Sequence, residues 1–572
     1  MIKHRFPAFS PSRRNTLKLT GAALAAGAVS FGAVSFGSAA PSFTPGPPAR
    51  NFRRPNASSP AGKQMLKFYA KAVRAMLALP PEDPRNWYRH AIIHTLDCPH
   101  GNWWFLPWHR GYLGWFEQIC RELSGFPHFA LPYWDWTAEP KVPDGMFDDV
   151  LDPNHSAYIA TAGDFDNRLR AAVANAGYWT SPNGVFSRNS QFGQLLGRGV
   201  RFEQDLMFDI LTDPSGRLFY EQPGARGIRR ERPEFNAATV ESVSPATIRA
   251  ALAAPDYPTF ASPKSSNHAA SAGFGILEAK PHNSVHRCVG SRDCNFVEAQ
   301  GFMTDMLSPV DPIFFLHHAN MDRLWDVWER KQKRVGLPTL PAGVELRTDL
   351  PDDQKSAAEK ATDYYRWARE PLLFFVDRQG APVKATTAGA YASMAAFRYD
   401  YEPGSGEEVV PRTDTRPRAR PAGPRVFTGR VLNRETGGGK VASAAVPVPA
   451  ATIEAAVSSS ATLVANITLN FTDMAHDPFV VVLNGPDDLS TVDAKSPFYL
   501  GTIVMFGHHR HGGALTFAMP LGEKLGAAGA SGRSDADGSI RVRVVPMHTA
   551  MGHHGMGESG AVELVAVNIE VY

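Results

Sequence analysis

"CPHGNWWFLPWHRGYL", residues 98–113, is the stretch on which the reading of this chain turns. His100 and His109 stand nine positions apart, and Trp103, Trp104, Phe105, Pro107 and Trp108 lie between them. An imidazole amid so much aromatic bulk is buried, and a buried imidazole needs a hydrogen bond or a metal ion. Pro107 can open a helix. The residues after it place Tyr112, Phe116, Ile119 and Leu123 on one stripe, with His109 beside it. Upstream, "EDPRNWYRHAIIHTL" (82–96) reads as a second helix, with Asp83 as N-cap and Pro84 as first helical residue. Its inner face carries Trp87, Ala91 and His94; His90 is a rival to His94.

Two further stretches repeat the theme. In "PHNSVH" (281–286), His282 and His286 are one helical turn apart and project from one face. No Glu follows His282, so the zinc-peptidase motif is absent. In "DPIFFLHHANMDRLWDVW" (311–328), His318, Met321, Trp325 and Trp328 share a helical face, so His318 points inward with the tryptophans. The chain thus supplies two sets of three: His94, His100, His109 and His282, His286, His318. No carboxylate shares that alignment. An all-imidazole site suits copper, zinc, nickel or iron, and two facing sets in a helix bundle suggest two metals. Each three-ligand centre keeps positions open, as catalysis needs.

At this point four separated motifs in order, "CPHGNWWFLPWHRGYL", "LPYWDWT" (131–137), "LEAKPHNSVH" (277–286) and "DPIFFLHHANMDRLW" (311–325), are seen to resemble the type-3 copper family of tyrosinases, catechol oxidases and molluscan haemocyanins. The resemblance runs over about residues 50–403. It implies two copper ions. One would be held by His94, His100 and His109, the other by His282, His286 and His318. In the "HH" pair the second histidine matches the ligand, and His317 stands behind it. Cys98, two before His100, matches the cysteine that fungal and molluscan members join to that histidine as a thioether. Glu278 and Asn283 match a pair that holds a water able to deprotonate an incoming phenol. Arg287, Asp305 and Met306 are expected near the entrance.

The function so implied is oxidation of phenols by dioxygen, monophenol to o-diphenol to o-quinone. A catechol or o-aminophenol oxidase without the first step is the alternative. A haemocyanin-like oxygen carrier is remote, because those proteins string several copper units along very long chains.

Composition agrees with an enzyme of this size. The chain has 572 residues, 43% hydrophobic and 20% charged, which is globular and long enough for more than one domain. The net charge is +3, and five basic residues lie in 1–40, which holds no acid. The remainder gives no basic field for nucleic acid or an anionic membrane. Those first 40 residues, with "SRRNTLKL" and then a weakly apolar Ala/Gly run, read as a twin-arginine signal for export to the periplasm or outside. Of four cysteines, Cys288 and Cys294 bracket a short loop and either pair or stay free; Cys120 reads as core.

The expected fold is a mainly α catalytic domain over 41–402, a four-helix bundle around the dicopper centre, and then an all-β sandwich over 426–572. Residues 403–425, dense in Pro, Gly and charge, link the two. The period changes to two after the linker: in "ATLVANITLNFTD" (461–473), Leu463, Ala465, Ile467, Leu469 and Phe471 face one way. "YDY" (399–401) resembles the tyrosine motif closing the catalytic domain of plant and fungal relatives, with Arg53 or Arg54 stacked on it. The β-domain then resembles a shield that plugs the copper entrance until the linker is cut. "MFGHHRH" (505–511) and "MHTAMGHHGM" (547–556) pair methionine with histidine and read as copper capture or as surface loops.

Overall fold

The computed structural model describes residues 52–159, 164, 225–265, 268, 270–296, 301–304, 306–342, 367, 370–384, 386–414, 423–436, 440–458, 461–471, 478–506, 513–522, 524–526, 538–547 and 562–572. The signal-like segment, residues 415–422 of the linker, Asp305 and nearly all of both Met/His clusters lie outside them. Arg50–Tyr572 forms one compact unit.

Helices come first. α1 (Pro60–Ala78) starts where Ser59 accepts the Gly62 N–H at 3.0 Å and Pro60 needs no partner for a missing N–H. α2 (Trp87–Asp97) is capped by Asn86, which accepts from the Tyr88 N–H at 3.0 Å. Asp83 instead takes the Arg85 side chain at 2.7 Å, so the helix begins three residues later than the sequence reading put it. α3 (Phe105–Ser124) opens two residues before Pro107 and ends at Gly125, whose φ of 68° is the left-handed conformation glycine adopts freely. α4 (Ala237–Ser242) and α5 (Pro245–Ala253) follow. A π-helical turn, Glu278–His282, leads into α6 (Asn283–Gly290). α7 (Ile313–Arg334) is the longest helix described.

The C-terminal region is β-rich. One five-stranded sheet runs in the order β10-β9-β12-β7-β5: Tyr499–Ile503, Phe479–Leu483, Ile540–Pro546, Ala442–Val446 and Arg430–Asn433. A second runs β2-β11-β8-β13-β4, with Gly273–Phe274, Gly513–Pro520, Leu463–Phe471, Val562–Val571 and Arg425–Thr428, and β6 (Glu435–Thr436) attached to β13. The odd-numbered residues from Leu463 to Phe471 are buried, as their period of two requires. They share one apolar cluster with Val481, Leu483, Val542 and Val544 of the other sheet. Val480, Val482 and Val545 point the opposite way, into the cluster that includes the helices. That five-stranded sheet is therefore apolar on both faces, which is why "FVVVL" (479–483) does not alternate.

Strand pairing ties the β-rich region to the helical one. β2, from the helical part, adds in parallel to β11, pairing Gly273 with Thr516 and Phe274 with Phe517. Gly273 has φ +147°, and a Cβ there would lie 2.5 Å from the Thr516 carbonyl oxygen, so only glycine fits. β1 (Phe52–Arg54) pairs in parallel with β3 (Tyr399–Tyr401), the YDY motif. Arg54, not Arg53, stacks on it: its guanidinium lies 3.6 Å from the Tyr399 ring centre, while Arg53 is exposed and pairs with Asp400 at 3.0 Å. Asp322 of α7 accepts from the hydroxyls of Tyr399 and Tyr401 and from Arg110 at 2.6 Å, so a buried, fully bonded carboxylate closes the region.

Candidate metal centre

The six histidines predicted from the sequence come together in two buried groups. His94, His100 and His109 gather with Cys98; His282, His286 and His318 gather with His317; within each group the candidate ligand atoms all lie within 4.8 Å of one another. The groups face each other. The His109 and His318 rings stack at 3.9 Å with planes 2° apart, and His100 and His282 lie 5.8 Å apart.

Each element supplies its histidine for a local reason. α2 turns its Trp87 face inward and carries His94 there. His109 sits in the second turn of α3, close enough for its Nδ1–H to reach the Phe105 carbonyl at 2.8 Å. The π turn holds Pro281, which has no N–H to give to a regular helix, and delivers His282 at the start of α6 with His286 one turn on.

Hydrogen bonds to the outer nitrogens set the rings. His94 Nδ1 donates to the Met306 carbonyl at 2.7 Å, His286 Nδ1 to that of Met303 at 2.9 Å, and His282 Nδ1 to Asn283 Oδ1 at 2.8 Å. A neutral imidazole that donates through Nδ1 presents a lone pair at Nε2. Burial pushes the His282 pKa down to about 3, and burial first, then neighbouring imidazoles, holds His286 and His318 well below the usual range. They are uncharged at neutral pH and ready to bind a cation.

These residues fit a metal. His282 Nε2 is buried with no hydrogen-bond partner, a costly state for a lone pair in an apolar interior. His286 Nε2 and His318 Nε2 converge to 3.3 Å, a spacing two imidazoles on one ion can share with bonds of about 2.0–2.1 Å. The donor set is all nitrogen with one thiol nearby, which suits copper.

His317 behaves differently from His318. Its Nδ1 accepts the Trp136 Nε1–H at 3.1 Å, which leaves its proton on Nε2 and no lone pair for a metal. His90 sits among aromatic rings, 5.1 Å from Phe116 and 6.3 Å from Phe315, and joins neither group. Cys98 Sγ lies 3.8 Å from His100 Nε2 and 3.5 Å from His109 Nε2.

Glu278 is buried in the π turn and accepts the Gly101 N–H at 2.9 Å and the Ser262 hydroxyl. Burial pushes it up to about 8, against the pull of those two bonds. Asn283 uses its oxygen for His282 and its amide N–H for the Val504 carbonyl at 3.0 Å. Arg287 is largely buried and donates to the Phe296 carbonyl at 2.6 Å. Met306 is buried and serves through its carbonyl; Asp305 is outside the described residues. Cys288 and Cys294 are joined as a disulfide.

Sequence reasoning missed Phe506. Its ring stacks on His286 at 3.9 Å and lies 5.1 Å from His100 and 5.5 Å from His282. Nothing in "FYLGTIVMF" (498–506) marks its last residue as different from the strand before it.

The comparisons with known proteins point the same way. Residues 84–331 match the family model for the common central domain of tyrosinase. (+)-Larreatricin hydroxylase, chloroplastic, of Larrea tridentata is 29% identical over 310 residues, 51% of this chain and 43% of that protein. A chloroplastic polyphenol oxidase of Vitis vinifera is 28% identical over 308 residues, 49% of this chain and 41% of its own length. The chain spans about half the length of the curated relatives it matches. Among solved structures, latent apple tyrosinase aligns with a TM-score of 0.51 at 20% identity, over 92% of this chain and 99% of that one. A latent aurone synthase aligns with a TM-score of 0.50 at 18% identity, over 92% and 90%. At such identities the likeness speaks for the fold, a helical core followed by a β-rich region.

One expectation is corrected. Twin-arginine export to the periplasm or outside does not agree with the relatives from Larrea tridentata, Vitis vinifera, Ipomoea batatas and Spinacia oleracea, all named as chloroplastic. A basic leader without acids is also the composition of an organelle transit peptide, so arginines and alanines alone do not separate the two. No helix among the described residues is long and apolar enough to cross a membrane. Residues 84–331 thus match the common central domain of tyrosinase, and the relatives this chain resembles include chloroplastic polyphenol oxidases.

Proposed function

We propose that this protein oxidises phenols with dioxygen at two copper ions, taking monophenols to o-diphenols and these to o-quinones. The observation that carries the reading is the pair of facing, uncharged imidazole groups with Nε2 lone pairs turned inward. His94, His100 and His109 would hold one ion, and His282, His286 and His318 the other. When bound, the copper pair supplies dioxygen with two electrons at once, which avoids a costly one-electron reduction. The chain's own residues do the rest. Phe105, Trp108 and Phe314 pack against the imidazoles and keep bulk water away. Asn283 holds His282 in one tautomer. Glu278, pushed up to about 8, stands near neutral working pH, where a base takes a phenol proton most effectively. Cys98 is proposed to link to His100.

The finer architecture belongs to the same proposal: a four-helix bundle around the coppers over 41–402, a sandwich of the two sheets over 426–572, and a linker over 403–425. Phe506 covers the imidazoles, which supports a shielding role for the β-region until the linker is cut.

A second reading, catechol or o-aminophenol oxidase alone, is favoured by one contact. Glu278 already accepts two hydrogen bonds and would have to yield one to take a phenol proton. The full chain and a linker-cleaved sample, assayed for copper per chain and for oxygen uptake on a monophenol, a catechol and an o-aminophenol, decide. We expect two coppers per chain and uptake on the first two substrates after cleavage. Uptake on the catechol but not the monophenol selects the second reading. A single copper, or no uptake at all, overturns both.

A further inference from the structure

We propose that the backbone on the two sides of Asp305, residues 301–304 and 306–310, positions an imidazole in each histidine group, so that the two groups are set as a unit rather than separately. This rests on the copper reading above. The Met303 carbonyl accepts from His286 Nδ1 at 2.9 Å, and three residues on the Met306 carbonyl accepts from His94 Nδ1 at 2.7 Å. An imidazole turns readily about its Cβ–Cγ bond, and the carbonyl on its outer nitrogen decides where the inner lone pair points. Here the two carbonyls that aim a ligand of each group belong to one short strap.

The strap is gripped at both ends by the helices whose ligands it aims. At the far end, the Thr95 hydroxyl of α2 shares its one proton between the Ala91 carbonyl at 2.9 Å and the Met306 carbonyl at 3.1 Å, and Trp87 Nε1 donates to the Val310 carbonyl at 3.1 Å. At the near end, the Gly301 N–H donates to the carbonyl of Gly290, the last residue of α6, at 2.7 Å. The approach is close: a Cβ on Gly290 would lie 2.6 Å from the Thr304 nitrogen, and one on Gly301 2.8 Å from the Ala225 carbonyl oxygen. The Cys288–Cys294 disulfide ties the end of α6 to the turn that follows it. A shift of the strap by a few tenths of an ångström therefore moves both acceptors together. Met303, Met306, Thr95 and the disulfide are positioning groups for both ions.

Two variants of the full chain test this from opposite ends. Thr95→Val removes a hydroxyl from the Met306 carbonyl without touching an imidazole. Cys288→Ala with Cys294→Ala loosens the near end. Copper per chain is measured at equilibrium with fixed free copper, together with the electron paramagnetic resonance signal of the oxidised protein. A coupled cupric pair gives no signal; a lone cupric ion does. In each variant we expect affinity to fall about tenfold, as for other groups that orient metal ligands. Copper should be lost two ions at a time, with no rise in the lone-ion signal, and Thr95→Ser should restore loading. The proposal is overturned if Thr95→Val leaves one copper per chain with a strong lone-ion signal, or leaves loading unchanged. Should the cysteine variant fail to fold, the Thr95 pair decides by itself. Fewer than two coppers in the unaltered chain would instead refute the copper reading on which this stands.

Discussion

His317 and His318 are neighbours in sequence and both fully buried, yet their nitrogens meet different partners. Trp136 donates to His317 Nδ1, whereas His318 Nε2 faces His286 Nε2. His318→Ala should therefore lower copper from two ions per chain to about one, while His317→Ala keeps copper near two. The latter strands the Trp136 N–H and costs about 1–3 kcal/mol of stability, read by denaturant unfolding. Glu278 gives a test in pH. Its pKa rises from 4.5 in the unfolded chain to about 8 in the copper-free fold, so the folded form holds a proton the unfolded form has lost. Stability of the copper-free protein should fall as pH rises across that window and level off above it. Glu278→Gln, with no proton to lose, should show a flatter dependence in melting temperature over the same range.

On α3 the face opposite His109 is cut away by glycines. A Cβ on Gly114 would lie 2.3 Å from the Phe397 ring, and one on Gly111 2.6 Å from the Tyr391 ring. Residues 388–397 approach the helix this closely because neither glycine has a side chain. Gly114→Ala should gain about 1 kcal/mol of helix propensity and lose more than that to overpacking, which typically costs about 1–3 kcal/mol. Urea unfolding of Gly114→Ala, of Phe397→Leu and of the double variant checks the cause. If the clash with Phe397 is responsible, the double variant is more stable than the sum of the two single losses. The π turn is the other element whose form matters: without Pro281 and its extra residue, Glu278 and His282 would keep ordinary helical spacing.

At the scale of the whole molecule, three contacts among the described residues carry the β-rich region to the metal centre. Lys280 Nζ donates to the Leu500 carbonyl at 3.1 Å and pairs with Glu241 at 2.9 Å. Asn283 donates to the Val504 carbonyl, and Phe506 lies on the imidazoles. All three fall on β10 or the residues just after it. Phe506→Ala in the uncut chain should raise oxygen uptake on a catechol toward that of the cleaved enzyme, with copper per chain unchanged. Uptake equal to that of the uncut parent would remove Phe506 from the shielding proposal.

Residue patterns alone were enough for the inward histidines and the change of period near residue 425, because helical and strand faces repeat locally and a buried imidazole must be satisfied wherever it sits; the Arg–tyrosine closure came from the family resemblance, which left Arg53 and Arg54 open. Residue patterns also marked a strand within 461–473, where β8 spans Leu463–Phe471. They did not single out β11, the short strands before β8 or the helix at 450–457, whose side chains are small or mixed. The start of α2 was misplaced because Asp83 found a closer partner in Arg85 than in a helix end. Tertiary structure alone decided that Phe506 covers His286, that Met303 and Met306 aim two rings, and that Trp136 takes the lone pair of His317. Those contacts join residues 17 to more than 200 positions apart, and no local periodicity carries information over such intervals.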